Sequence, residues 1–251
     1  VTHLNCDNEG NLWVGTLSGL YQYNETKESF LHVPFTKNKG IDLFQFDENN
    51  LLWLLMDGAL IQYNIADGQF HIFTGNNGQT YTSFCIMPDN SIWLGDSEGF
   101  ISLLNTEDGT LDSYDLFAHS PATTSRKLSM LYRSPSSANI YVAFEHDDVK
   151  IFNVLTKTYQ DLNIQEKNQL TILINCFLEK DKEELWIGTD SGLFIYDLQL
   201  GTCKRIRQDP LDPYALSSHF VSALFEDREE GVWICFHQNG LNYYSPFRPF
   251  N

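Results

Sequence analysis

The chain has 251 residues, 42% hydrophobic and 14% aromatic, long enough and apolar enough for a sizeable buried core. Its 33 acidic side chains outnumber 16 basic ones, for a formal charge of −17. Nucleic-acid binding draws on counterion release by clustered Lys and Arg, and the sequence has no such cluster, so that class of partner is set aside.

Read in chain order, the sequence repeats itself. Trp13, Trp53, Trp93, Trp186 and Trp233 stand 40, 40, 93 and 47 residues apart, and Tyr141 takes the aromatic place in the long gap. This predicts six repeats, roughly 1–40, 41–80, 81–125, 126–168, 169–216 and 217–251. In the first, the alternating run ending in DNEG predicts a strand and a tight hairpin, and LWVGT a second strand. A turn at Gly19 leads into a third strand, LYQYN, and SFLHV is a weaker, more polar fourth. The second copy follows the same order through LFQFDENN, LLWLLMDG, LIQYN and QFHIF, and the third through SIWLGDSEGFISLLN. SPATTSRKLSMLYRSPSSANI then reads as an enlarged loop and a long hairpin inside one domain. The fourth copy, NIYVAFEHDDVKIFN, replaces Trp by Tyr141 and the glycine turn by HDD. The fifth (ELWIGTDSGLFIYD) restores both, and the sixth (GVWICFHQNGLNYYS) stops within its third strand.

Four antiparallel strands per repeat, with no helical periodicity, predict an all-β propeller of four-stranded blades. One blade cannot cover both of its own faces. The tryptophans and the third-strand aromatics (Tyr21, Tyr23, Tyr63, Phe100, Phe194, Tyr196, Tyr243, Tyr244) are therefore expected to pack as layers between neighbours. Closure is open: either Phe247 to Asn251 supply a short outer strand, or further blade material lies outside this chain. The second is preferred, as part of a seven-bladed parent.

Chemistry is harder to find. Gly-x-Ser-x-Gly, His-Glu-x-x-His and a phosphate-binding glycine loop are all missing, so neither catalysis nor a cofactor is expected. The five cysteines have no metal-type spacing, and Cys6, Cys85 and Cys176, on first strands, read as small buried apolar residues. The acids at Asp47-Glu48, Asp181 to Glu184 and Glu226 to Glu230 read as solvated hairpin turns, without the spacing of a calcium loop. No apolar stretch approaches membrane-spanning length, so no membrane contact is expected of this region, and the first residues do not read as a signal peptide.

DNEGNLWVGTLSGLYQY, EELWIGTDSGLFIYD and DPLDPYALSSHFVSALFEDREEGVWICFHQNGLNYY resemble two-component regulator propeller repeats. The resemblance runs the length of the chain and is weakest in the second and fourth copies. It implies the periplasmic sensor region of a hybrid two-component regulator, as in gut Bacteroidetes. There, two seven-bladed propellers and an immunoglobulin-like domain precede a membrane helix, a histidine kinase and a response regulator, usually in a homodimer. It also implies an oligosaccharide ligand. The family's repeat residues are structural and name no ligand site.

Candidate ligand residues come instead from the polar, irregular loops on one face, where the turn after the Trp strand and the loop into the next blade open together. These are Lys37, Lys39, Tyr81, His119, Arg126, Lys127, His146, Asp147, Asp190, Tyr214, His219, His237, Gln238 and Asn239. Sugars need bidentate donors and acceptors beside an aromatic platform, and an anionic glycan would need the few cations here. Besides a sensor without chemistry, two readings stay open: an interaction or dimerisation scaffold, and a glycan-acting propeller lyase or hydrolase.

Overall fold

A computed structural model describes residues 1–75, 78–118, 125–145, 149–164, 172–209, 211–212 and 215–246. The chain divides into two compact units, Val1–Pro121 and Ala122–Asn251. Each holds three antiparallel sheets, one per repeat. In the first unit, blade 1 is β1 (His3–Cys6), β2 (Leu12–Thr16), β3 (Gly19–Asn24) and β4 (Ser29–His32). Blade 2 is β5 (Leu43–Phe46), β6 (Leu52–Met56), β7 (Ala59–Tyr63) and β8 (Phe70–Phe73), and blade 3 is β9 (Tyr81–Ile86), β10 (Ile92–Asp96), β11 (Phe100–Leu104) and β12 (Leu111–Asp115).

In the second unit, blade 4 is β13 (Leu128–Arg133), β14 (Asn139–Phe144), β15 (Val149–Asn153) and β16 (Thr158–Leu162). Blade 5 is β17 (Ile174–Lys180), β18 (Glu184–Thr189), β19 (Gly192–Asp197) and β20 (Cys203–Ile206). Blade 6 has three strands among the described residues, β21 (Val221–Glu226), β22 (Val232–Phe236) and β23 (Leu241–Tyr244). Apart from a turn of 3-10 helix at Pro34–Thr36, regular structure among the named elements is strand, as the alternation predicts.

In blades 1, 2 and 6 the aromatic is pinned from its own hairpin. In blade 1, Asp7 accepts backbone N–H bonds from Glu9 (3.1 Å) and Asn11 (2.8 Å) on Oδ1, and the Trp13 indole N–H (3.0 Å) on Oδ2. Asp47 does the same for Asn49, Leu51 and Trp53, and Asp227 for Glu229, Gly231 and Trp233. One carboxylate thus closes the turn and satisfies a ring donor that would be costly to bury alone. The solvated-turn reading is corrected here: Asp47 is only 7% exposed, because the indole draws it inward. Blades 4 and 5 satisfy their aromatics with glutamates instead. Glu184 accepts the Trp186 indole N–H at 2.8 Å, and the Tyr141 hydroxyl donates to Glu179 Oε2 at 2.9 Å. Lys180 stands six residues before Trp186 and bonds Glu226 and the Glu230 carbonyl of blade 6, both at 3.0 Å.

Within each unit, adjacent blades share apolar layers. Trp13 packs with Phe44, Leu52, Leu54 and Ile61 of blade 2, Trp53 with Phe84, Ile92 and Leu94 of blade 3, and Trp186 with Val221, Val232 and Ile234 of blade 6. Tyr141 fills the Trp place at 2% exposure, in a layer with Ile174, Phe177 and Leu185. Two expectations fail at blade faces that carry no such layer among the described residues. Trp233 is 38% exposed whereas the other four tryptophans are buried, and Cys6 is exposed rather than a core thiol. Gly188 shows how tight a filled layer is: a Cβ there would lie 2.4 Å from Cys176 Sγ and 2.7 Å from Val221 Cγ1.

Candidate functional site

In every blade the antiparallel order places the turn between the second and third strands at the same end as the approach to the first strand. Backbone bonds staple each such turn to an approach segment, that of the next blade in the first-unit examples and that of the same blade in the second. In the first unit, Asn38 donates to the Ser18 carbonyl at 3.0 Å, Ile41 to Thr16 at 2.9 Å and Tyr81 to Gly58 at 2.9 Å. In the second, Glu145 donates to Lys127 at 3.0 Å, Asp190 to Leu173 at 3.1 Å and His237 to Phe220 at 3.2 Å. The first strands of blades 3 to 6 also shift register near this end, a bulge that re-aims side chains.

In the first unit, Lys37 and Lys39 are exposed, beyond the buried Thr36, whose hydroxyl accepts the Leu20 N–H at 3.0 Å. Lys39 Nζ lies 3.6 Å from an Asp57 carboxylate oxygen. Both groups are solvated, so the pair contributes at most about 1 kcal/mol. Tyr81 is placed in the core: it is 4% exposed within the layer of Trp53, Phe73 and Phe84. Burial, and then the charge of Asp96, push its hydroxyl pKa up. Asp96 itself is 2% exposed and accepts the Glu98 (2.8 Å) and Phe100 (2.9 Å) N–H groups, while the Gln79 amide donates to its other oxygen. It stands where Thr16 and Thr189 stand in blades 1 and 5, each donating to a glycine carbonyl at 2.8 Å.

In the second unit, Lys127 pairs with Glu145 at 2.6 Å and Arg126 beside it is half-buried. Asp190 accepts the Leu173 N–H on Oδ1 at 3.2 Å. Next to it, Arg205 donates through Nε (3.1 Å) and Nη2 (2.6 Å) to the Ser191 carbonyl and lies 5.1 Å over the Phe194 ring. Burial, and then the like charge of Arg207, lower the Arg205 pKa, with Asp190 opposing them. His219 is exposed, and the His237 ring stands 5.2 Å from Phe220, with Gln238 and Asn239 exposed beyond it. His119, His146, Asp147 and Tyr214 lie outside the described residues.

The structure thus gathers the described candidates into small sets: Lys39 with Asp57, Lys127 with Glu145, Asp190 with Ser191 and Arg205, and His237 with Phe220. Arg205 escaped the sequence reading because it sits on the fourth strand, the least regular part of the repeat. A cleft of about 360 Å³ was equally illegible. Trp186, Ile195, Ile206 and Tyr244 supply apolar walls and Glu184 and Asp197 carboxylates, where the outer strands of blade 5 face β23. Among the described residues no group of three or more His, Cys, Asp or Glu is placed to hold a metal ion.

Neither a family model nor a curated protein matches the chain. Solved structures do. The extracellular domain of a hybrid two-component system from B. thetaiotaomicron superposes with a TM-score of 0.69 at 18% identity, over 97% of this chain and 38% of that one. A second structure of an extracellular domain from B. thetaiotaomicron, described as a one-component system, gives 0.61 at 17% identity over the same shares. The shared element is the β-propeller fold. The propeller domain of Cps50 (Swd1) from Myceliophteria thermophila gives 0.74 at 10% identity, over 97% of this chain and 83% of that one. The chain therefore spans less than half the length of the two bacterial domains, and no helix among its described residues is long and apolar enough to cross a membrane.

Proposed function

We propose that the chain is a non-catalytic sensing propeller from the extracytoplasmic, periplasmic region of a two-component regulator, and that its ligand is an oligosaccharide. The observation that carries this reading is the coincidence of two signals: the regulator-type repeats in the sequence and the match of 97% of the chain to an extracellular domain of a hybrid two-component system. Fold likeness alone does not choose, since Cps50 superposes with a higher TM-score. The repeats do. On this reading a second propeller and an immunoglobulin-like domain adjoin the chain in its parent, which pairs as a homodimer and carries the histidine kinase elsewhere.

The loop sets suit such a role. Lys127 and Arg205 offer charge-assisted donors, Asp190 and Glu145 acceptors, and His219, Gln238 and Asn239 are exposed. A ligand can switch signalling only if it binds one arrangement of the sensor more tightly than another. Calorimetric titration of the complete extracytoplasmic region and of this chain against neutral, sulfated and uronic oligosaccharides tests the reading. Saturable binding without turnover is expected. Product formation would replace it with an enzyme, and silence from the complete region across the panel with a scaffold.

A further inference from the structure

We infer that Asn239 is a site of spontaneous covalent modification, at which the Gly240 peptide nitrogen cyclises onto the side-chain amide and converts the asparagine to aspartate and isoaspartate. Four asparagines among the described residues hold a left-handed backbone: Asn38 at φ 62°, Asn50 at 59°, Asn90 at 61° and Asn239 at 76°. Asparagine is a thermolabile side chain, and the group that attacks it is the peptide nitrogen of the next residue. In three of the four that nitrogen is engaged. The Lys39 N–H, after Asn38, donates to the Thr36 carbonyl at 3.1 Å. The Leu51 N–H, after Asn50, donates to Asp47 Oδ1 at 2.9 Å, and the Ser91 N–H, after Asn90, to Asp89 Oδ1 at 3.0 Å. Two of the side-chain amides are engaged as well: Asn50 Oδ1 accepts the Asn8 N–H at 3.0 Å, and Asn90 Oδ1 that of Glu48 at 3.3 Å.

Asn239 differs in each respect. It and Gly240 are exposed in the loop between β22 and β23, and among the described residues no acceptor stands on the Gly240 N–H and no partner on the Asn239 side chain. Gly240 has no Cβ to crowd the approach, and no atom lies within 4 Å of where one would stand. The loop is held at its ends, by the Phe236 N–H on the Gly240 carbonyl and the His237 N–H on the Phe220 carbonyl, both at 3.2 Å. In the reaction the Gly240 nitrogen bonds to Asn239 Cγ and its proton passes to Nδ2; the Cγ–Nδ2 bond breaks and ammonia leaves a cyclic imide. Water then opens either imide carbonyl. Opening at Cγ gives aspartate, and opening at the main-chain carbonyl gives isoaspartate, whose extra methylene lengthens the backbone. Both products exchange an N–H donor for a carboxylate in the loop that carries His237, and a charge change of this kind acts through local pairing and repulsion. Asn77, the other asparagine that precedes a glycine, lies outside the described residues.

Peptide mapping by mass spectrometry tests this, on the intact folded chain aged at mildly alkaline pH below its melting temperature. The peptide holding Asn239 is expected to gain the mass of an amide-to-acid exchange and to split into two isomers, one of them a substrate for an isoaspartyl methyltransferase. Peptides holding Asn38, Asn50 and Asn90 are expected to stay unchanged over the same time. Asn239→Ser alters an exposed side chain, so it should keep the wild-type circular dichroism and abolish the gain in its own peptide. A parallel sample unfolded in guanidinium gives the rate without the fold. Asn239 left intact in the folded chain, whether or not it converts when unfolded, overturns the inference. So does conversion of Asn38, Asn50 or Asn90 as fast as Asn239 in the folded chain, or a gain that persists in Asn239→Ser and maps to Gln238.

Discussion

Replacing Asp47 by Ala tests the idea that a hairpin carboxylate holds the aromatic in blades 1, 2 and 6. The carboxylate takes three bonds, from the Asn49 and Leu51 N–H groups at 2.9 Å each and from Trp53 Nε1 at 3.0 Å. The two backbone donors lie in a surface turn and regain water in the mutant, so their loss is modest. The indole donor does not, because Trp53 is 2% exposed. An unsatisfied buried donor costs about 1–3 kcal/mol, and the turn bonds about 1 kcal/mol more, for a destabilisation of roughly 2–4 kcal/mol. Asp227→Ala removes the corresponding bonds from the Glu229 and Gly231 N–H groups and from Trp233 Nε1, but at 38% exposure that ring is rehydrated, and the expected cost is clearly smaller than for Asp47→Ala. Urea unfolding followed by tryptophan fluorescence compares the two variants. Equal costs, or an Asp47→Ala protein as stable as wild type, would refute the reasoning.

Acid should destabilise the chain through the same groups. Burial alone would raise the Asp7 carboxyl, but bonds from Trp13, Asn11 and Glu9 outweigh it and hold its pKa low, and Asp227 is lowered likewise by Glu229, Gly231 and Trp233. A lowered folded-state pKa stabilises above the unfolded value of about 4 and is lost as pH falls through the folded one. Urea midpoints should therefore drop below that pH in wild type and less steeply in Asp7→Asn; an unchanged slope would count against the Asp7 bonds. Gly188→Ala should cost about 1–3 kcal/mol by overpacking against Cys176 and Val221. Gly10→Ala, with no atom within 4 Å of its Cβ, should lose only about 1 kcal/mol to its positive φ, and thermal melts rank the two. Timed alkylation at pH 8 should modify the exposed Cys6 well before Cys176, whose thiol burial pushes up to about 12, and a reversed order in the mass spectrum would contradict the placement.

Much of this molecule was legible as sequence. The period of the aromatics, the alternation around them and the glycine turns define a blade, because each is a local demand of a four-stranded sheet. The Asp-x-x-x-x-x-Trp spacing in three repeats was also present in the letters, yet its meaning was not. Nothing local distinguishes an acid that solvates a turn from one that reaches back to an indole, and only the packing of Trp13 and Trp53 against the next blade makes that bond matter. Tyr81 is the converse case. Its place at the mouth of a loop suggested a ligand contact, while burial among Trp53 and Phe84 makes it part of a layer. Arg205 and the cleft beside Trp186 come from the fourth strand and its neighbour, where sequence is irregular and position depends on pairing across the sheet. Identical tryptophans likewise divide into four buried and one uncovered by what stands opposite them. The sequence by itself determined the repeating unit, since its turns and periodicity act over a few residues. Which acids, aromatics and cations became buried, paired or exposed was decided by the tertiary structure, because those fates depend on contacts some forty residues away.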